Sequence, residues 1–167
     1  MKRPCGDIFI AILICCGTAE ARAEALQDYQ LAINANMAGN YKQAAVWFRK
    51  AAELGLADAQ YNLALICYDG LGITQNYPEA LSWFTQAAEQ GHVESQWNLG
   101  RMYFRGQGVT QNFVEAYTWW SIAASNGYAE ANNDKAIAAA SMTVEQIAEG
   151  QRRAIAWLAE FGKKHLD

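Results

Sequence analysis

The sequence predicts an all-α fold, an α/α helical-hairpin repeat solenoid of about four helix pairs with a C-terminal capping helix. Three observations carry that prediction. Alanine recurs throughout while Pro occurs only twice, at Pro4 and Pro78, and Ala is the best helix former. The chain repeats itself at a spacing of 36 residues. Within each unit, helix-start and helix-stop residues return at fixed places. The 167 residues are 52% hydrophobic and 18% charged, a globular balance, and a net charge of −4 offers no basic footprint for nucleic acid.

Residues 1–23 read as a signal peptide. Met1-Lys2-Arg3 is a positive start, Ile8 to Cys16 is an unbroken apolar run, and Ala21-Arg22-Ala23 is an A-x-A-like cleavage site. The run is too short for a bilayer, which takes about 20 residues. Cleavage after Ala23 is the first choice, with Ala19 and Ala21 as alternatives, and a buried N-terminal helix is the competing reading. The expectation is an exported protein, periplasmic or else secreted, with no stable membrane anchor after cleavage. Cys5, Cys15 and Cys16 leave with this segment, so Cys67 alone remains and cannot form an internal disulfide. Three cations (Lys2, Arg3, Arg22) and two carboxylates (Asp7, Glu20) also leave, which takes the net charge from −4 to −5.

Residues 24–56 form a degenerate first unit, in which Tyr41, Ala44, Trp47, Phe48, Ala51-Ala52 and Gly55 match the second half of the repeat. Units 57–92 and 93–128 match each other along their length. Gln60, Asn62 and Leu63 return as Gln96, Asn98 and Leu99; Thr74-Gln75-Asn76 returns as Thr110-Gln111-Asn112; Trp83 and Ala87-Ala88 return as Trp119 and Ala123-Ala124. Each unit reads as two helices. The first spans about Asp58–Tyr68 and Glu94–Phe104. The second opens on Asn40, Asn76 or Asn112 with Gln43, Glu79 or Glu115 three residues on, a capping-box spacing. It closes at Gly55, Gly91 or Gly127, where a left-handed residue favours glycine. Pro78 falls in a first turn, which needs no N–H donor. Gly70-Leu71-Gly72 and Gly106-Gln107-Gly108 turn the chain between the helices. A dinucleotide loop would need a preceding strand and a further glycine.

Ala44, Ala80 and Ala116 allow close helix approach, and Phe48, Phe84 and Trp120 fill the space beside them. Trp47, Trp83 and Trp119 are expected to cover the seams between units. In 129–167, Ala131 to Ala140 supplies a helix, and Thr143-Val144-Glu145-Gln146 caps a last one. Val144, Ile147, Ala148, Gln151, Ile155, Leu158 and Phe161 are spaced for one apolar stripe. Arg152, Arg153, Lys163 and Lys164 lie off it, as a solvated face or an anionic docking patch.

On these residues the chain resembles the Sel1-like repeat family, relatives of the tetratricopeptide repeats, as a small exported bacterial member. The family unit, A-x-x-x-L-G-x-x-Y-x-x-G-x-G-V, reads here Ala59…Leu63-Ala64…Cys67…Gly70…Gly72-Ile73 and Ser95…Leu99-Gly100…Tyr103…Gly106…Gly108-Val109. The resemblance covers about residues 28–130. Cys67 stands where the pattern has Tyr and reads as a small buried hydrophobe, with a reactive thiol as the alternative. A cysteine-rich subgroup of the family, linked to penicillin binding and β-lactamase activity, carries a disulfide in each repeat, and that pattern is missing here.

No catalytic constellation stands out. His92 and His165 share no helix face, and no H-E-x-x-H, G-x-S-x-G or Walker loop is present. The expectation is a non-enzyme without cofactor, metal or catalytic residues. By the resemblance, the first helices line a concave face. Tyr29, Tyr61 and Trp97 form one row along it, Ile33, Leu65 and Arg101 a second, and Asn36, Tyr68 and Phe104 a third. Trp97, Arg101, Phe104 and Arg105 share one helix face at i, i+4, i+7 and i+8. Aromatic and Arg side chains dominate interface energetics, so this face is the candidate site for a protein or peptide partner. The pair Arg101 and Arg105 can hold a carboxylate or acidic segment. The competing reading is that Tyr61 and Trp97 pack on each other and close a short groove. Two other function classes remain: a cell-envelope enzyme or peptidoglycan- or β-lactam-binding protein, and a structural subunit that stacks through its end face.

Overall fold

The computed structural model describes the backbone of residues 7–166 and the side chains of 19–164. Met1-Lys2-Arg3 and the side chains of the apolar run Ile8–Cys16 therefore lie outside the described residues. The helices are α1 (Asp7–Met37), α2 (Tyr41–Glu53), α3 (Ala57–Asp69), α4 (Tyr77–Glu89), α5 (Val93–Arg105), α6 (Phe113–Ser125), α7 (Ala131–Ala139) and α8 (Val144–Leu166). Among the described residues there is no strand, and no helix is long and apolar enough to cross a membrane. Consecutive helices pair as hairpins, α1 with α2, α3 with α4 and α5 with α6, and each hairpin packs on the next. The architecture is the predicted helical-hairpin solenoid.

Local chemistry sets the boundaries. The side chains of Asn40, Asn76 and Asn112 accept from the backbone N–H of Gln43, Glu79 and Glu115, which satisfies donors left open at a helix start. The expected return contact of the capping box differs. The backbone N–H groups of Asn76 and Asn112 are already used, donating to the carbonyls of Cys67 (2.8 Å) and Tyr103 (2.9 Å) in the preceding helix. Glu79 and Glu115 are thereby released to pair with Arg49 (2.6 Å) and Arg153. Only Thr143 and Gln146 make the full reciprocal box, at 2.9 and 3.2 Å.

The paired glycines do two jobs. Gly70 and Gly106 end their helices in the left-handed region. Gly108, with φ +73°, lies so close to the start of α4 that a Cβ would sit 2.6 Å from the carbonyl carbon of Tyr77. Gly72 makes the same approach to Lys42 at the start of α2. The second glycine of each pair thus docks one hairpin on the next.

The core is a stack of fully buried alanines with one large ring per hairpin: Phe48, Phe84 and Trp120. Leu63 and Leu99 complete the layers. Gly100 stands where the preceding unit has Ala64, because Trp120 is larger than Phe84 and its ring would lie 2.6 Å from any Cβ there. Buried amides stitch the units together. Gln60 donates to the Ala52 carbonyl (3.1 Å) and accepts from Gln90 (2.7 Å). One unit on, Gln96 donates to the Ala88 carbonyl (3.2 Å) and accepts from Asn126 (3.0 Å). Each amide crosses the seam to the preceding unit, where it gives a second donor to a helix-end carbonyl that also accepts from Gly55 or Gly91, and ties together the two helices of its own unit.

Cys67 is fully buried, and burial with Glu79 nearby pushes its thiol up to about 11. That environment suits an inert packing residue rather than a nucleophile.

The C-terminal helix corrects the predicted stripe. Val144 and Ile155 are 79% and 67% exposed, whereas Gly150 and Ala154 are buried. The face that docks on α6 is built from small residues because the helices come close: a Cβ on Gly150 would lie 2.8 Å from the ring of Tyr117. Ile147, Trp157 and Phe161 flank that contact, and Trp119 meets Trp157 at 5.9 Å between ring centres. Gln151, at the edge, donates to the Tyr117 hydroxyl at 3.2 Å. The basic residues sit mostly in ion pairs with their own helix: Arg152 and Arg153 with Glu149, Lys164 with Glu160.

Candidate interaction surface

The 36-residue period places the same register positions of α1, α3, α5 and α7 side by side. Tyr29 on α1 is half-buried, packs on Phe48 at 5.7 Å and accepts a long hydrogen bond (3.4 Å) from Asn62 on α3. Tyr61 on α3 stacks on His92 at 4.6 Å, and Trp97 on α5 packs on Tyr128 at 5.3 Å. Each ring therefore rests on the residue that ends its own unit, rather than Tyr61 resting on Trp97. Leu65 is half-buried against the core, and Tyr68 donates to Gln107 at 2.8 Å.

Four of the predicted residues line one depression of about 450 Å³: Trp97, Arg101, Phe104 and Arg105. Arg101 is held by its surroundings. Its guanidinium lies 4.7 Å from the ring centre of Trp97 and 5.7 Å from that of Tyr68, and it donates to the Asn98 side chain at 3.0 Å. Phe104 closes the floor against Phe113 (5.3 Å) and Trp120 (5.5 Å), so part of its ring serves the core. Arg105 is exposed at the rim. Tyr68 reaches the depression through Arg101, while Tyr29 and Leu65 lie outside its lining.

The far wall comes from α7. Asp134 accepts from the Trp97 indole N–H at 2.7 Å, and Ile137 is 58% exposed. Sequence reasoning omitted both. The signal was present: Asn62, Asn98 and Asp134 occupy one register position, and Leu65, Arg101 and Ile137 another. The α7 stretch keeps so few other repeat residues that it read as a cap alone.

Burial raises the phenols of Tyr61 and Tyr128, with Glu94 adding to it and Arg101 opposing it. Both rings thus lie within the field of Arg101. His92 caps α5: its Nδ1 accepts from the Ser95 backbone N–H at 3.2 Å, with Asp58 and Glu94 each 3.6 Å from the ring nitrogens. Burial holds its imidazole below the usual range, against the pull of those carboxylates. Among the described residues, no group of three or more His, Cys, Asp or Glu is placed to hold a metal ion.

Comparison with known proteins decides the family. The chain matches the Sel1 repeat over residues 35–56, 57–92 and 93–128, more than half its length. The chain belongs to the Sel1-repeat family. Among solved structures, this Sel1-repeat chain is similar to a protective antigen of uropathogenic Escherichia coli strains that displays an SLR fold. The two are 27% identical with a TM-score of 0.78, over 84% of this chain and 31% of that one. It is also similar to a Sel1 repeat protein from Oxalobacter formigenes, at 29% identity and TM-score 0.62, over 75% of this chain and 96% of that one. The chain thus spans about a third of the antigen's length. No curated protein matches it. Sel1 repeats are generally non-catalytic scaffolds that mediate contacts between proteins.

Proposed function

We propose that this Sel1-repeat protein is a non-enzymatic, exported interaction module, periplasmic or secreted, that binds a partner protein or peptide through the concave face of its first helices. One observation carries the reading. Trp97, Arg101, Phe104 and Arg105 converge with Ile137 on a single open depression, and these are side-chain types that anchor interfaces. The aromatic and guanidinium groups are fixed in advance by Asp134, Asn98 and the flanking rings, which reduces the entropy lost when a partner docks.

Export is supported by the sequence of residues 1–23 and is compatible with the packing of α1. Among the described side chains of α1, from residue 19 onward, the buried ones are Ala25, Asp28 and Ala32, all of which follow Ala23. N-terminal sequencing of protein recovered from a periplasmic fraction is expected to begin at Glu24. A cytoplasmic protein beginning at Met1 would refute export.

The binding face is tested by a photo-crosslinking residue at Ile137, with Val46 on α2 as an exposed control. Specific adducts at Ile137 and none at Val46 are the expected result. Equal labelling, or none, removes the concave face from consideration.

A further inference from the structure

We infer that the depression takes an acidic segment of the partner, with a carboxylate held by Arg101 and Arg105 and a neighbouring aliphatic side chain laid on Phe104 and Ile137. This rests on the proposed concave-face binding and specifies its chemistry.

Charge supplies the first argument. The chain is acidic overall, with a net charge of −4, and several of its other cations already have a carboxylate. Arg49 meets Glu79 at 2.6 Å, Arg152 meets Glu149 at 2.6 Å, and Lys164 meets Glu160 at 2.9 Å. Arg153 is shared between Glu115 and Glu149. No carboxylate oxygen of the described residues lies within 4.0 Å of the guanidinium of Arg101 or Arg105. These two arginines stand one helical turn apart on the same face of α5 and line the same depression.

Geometry supplies the second. The Arg101 guanidinium lies over the rings of Trp97 and Tyr68, 4.7 and 5.7 Å from their centres, and Asn98 takes one of its N–H donors. A guanidinium carries five donors in a rigid fork matched to a carboxylate. The neighbouring rings remove part of the water around the cation, and a partly desolvated arginine binds a carboxylate more strongly than a fully hydrated one.

The surroundings of the two arginines favour an anion as well. Asp134 is the one carboxylate in the lining, and it is engaged as acceptor for the Trp97 indole at 2.7 Å. Two cations against one engaged carboxylate leave the depression positive. Phe104 and the 58% exposed Ile137 give it an apolar side, which selects against a free small anion and for a side chain beside the acid.

The test is panning of a random heptapeptide phage library on the purified full-length protein, followed by affinity measurements on the selected peptides made synthetically. The expected result is enrichment of Asp or Glu next to Leu, Ile or Val. Changing that acid to its amide should weaken binding at least tenfold, as should the R101Q/R105Q double substitution. Arg105→Glu is the second variant. Its side chain is exposed, so the variant is expected to keep the circular dichroism spectrum unchanged while it weakens the acidic peptides. Raising the salt from 0.05 to about 0.5 M should also weaken binding, because exposed charges are screened. Peptides that need Trp97 yet show no acidic preference would overturn this inference and leave the concave-face reading intact. Acidic peptides indifferent to R101Q/R105Q and Arg105→Glu would overturn it too. No enrichment at all would overturn both.

Discussion

His92 caps a helix only while its Nδ1 is unprotonated, since that nitrogen must accept from the Ser95 N–H. Burial lowers its folded-state value below the ordinary 6.5, the Asp58 and Glu94 carboxylates notwithstanding. The folded protein therefore binds fewer protons than the unfolded chain across that interval. Stability from this group is complete above the unfolded value, falls as the pH drops below it, and levels off beneath the folded value. Urea midpoints between pH 7.5 and 5 are expected to decline less for His92→Asn, which keeps a cap acceptor and cannot titrate. Identical slopes would place the acid sensitivity elsewhere. Glycine geometry gives a second expectation at this scale. Gly127→Ala, with φ +98° and open space around it, should cost about 1–2 kcal/mol of left-handed strain. Gly108→Ala should cost distinctly more, because its Cβ also strikes the backbone of Tyr77 at 2.6 Å. Equal thermal shifts for the two variants would show that the hairpin seam yields.

Helices and most of their ends were legible in the sequence because each is fixed by local signals, an Asn at the start and a left-handed Gly after the end, repeated at one period. The docking face of α8 was not. Apolar spacing predicts that Val144 and Ile155 lie in the contact, yet contact with α6 is governed by how near two backbones can come. Gly150 and Ala154 satisfy that requirement and the branched residues do not. The role of Glu79 and Glu115 was hidden for a similar reason, since a competing carbonyl in another helix uses the cap N–H first. In the site, Trp97, Arg101, Phe104 and Arg105 could be read together because they share one helix face, while Asp134 and Ile137 belong to a helix whose repeat residues are mostly replaced. An expectation follows for α8. Gly150→Val should lower stability by about 1–3 kcal/mol through overpacking against Tyr117. Arg153→Ala, which removes exposed ion pairs, should leave the urea midpoint almost unchanged. A larger loss for Arg153→Ala than for Gly150→Val would mean that charge rather than packing seats the helix.

At the scale of the molecule, stability in such a stack is a sum of units and nearest-neighbour seams. The N-terminal unit is the shortest match to the repeat and lacks the Gly-x-Gly dock of the later ones, whereas α8 buttresses the last hairpin. Hydrogen exchange is expected to be fastest in α1 and α2 and slowest in α5 and α6, and a uniform profile would indicate a single cooperative block.

The amide stitches carry one more implication. Gln60 on the Ala52 carbonyl and Gln96 on the Ala88 carbonyl join successive units through the same atoms, so a seam does not depend on which unit stands on either side. A second copy of residues 93–128, spliced after Tyr128, would meet its neighbours through contacts the chain already uses. The protein is in this sense a measuring rod with interchangeable divisions. Its reach along a partner can be reset by whole units, each adding another Trp and Arg to the face, while both ends stay as they are.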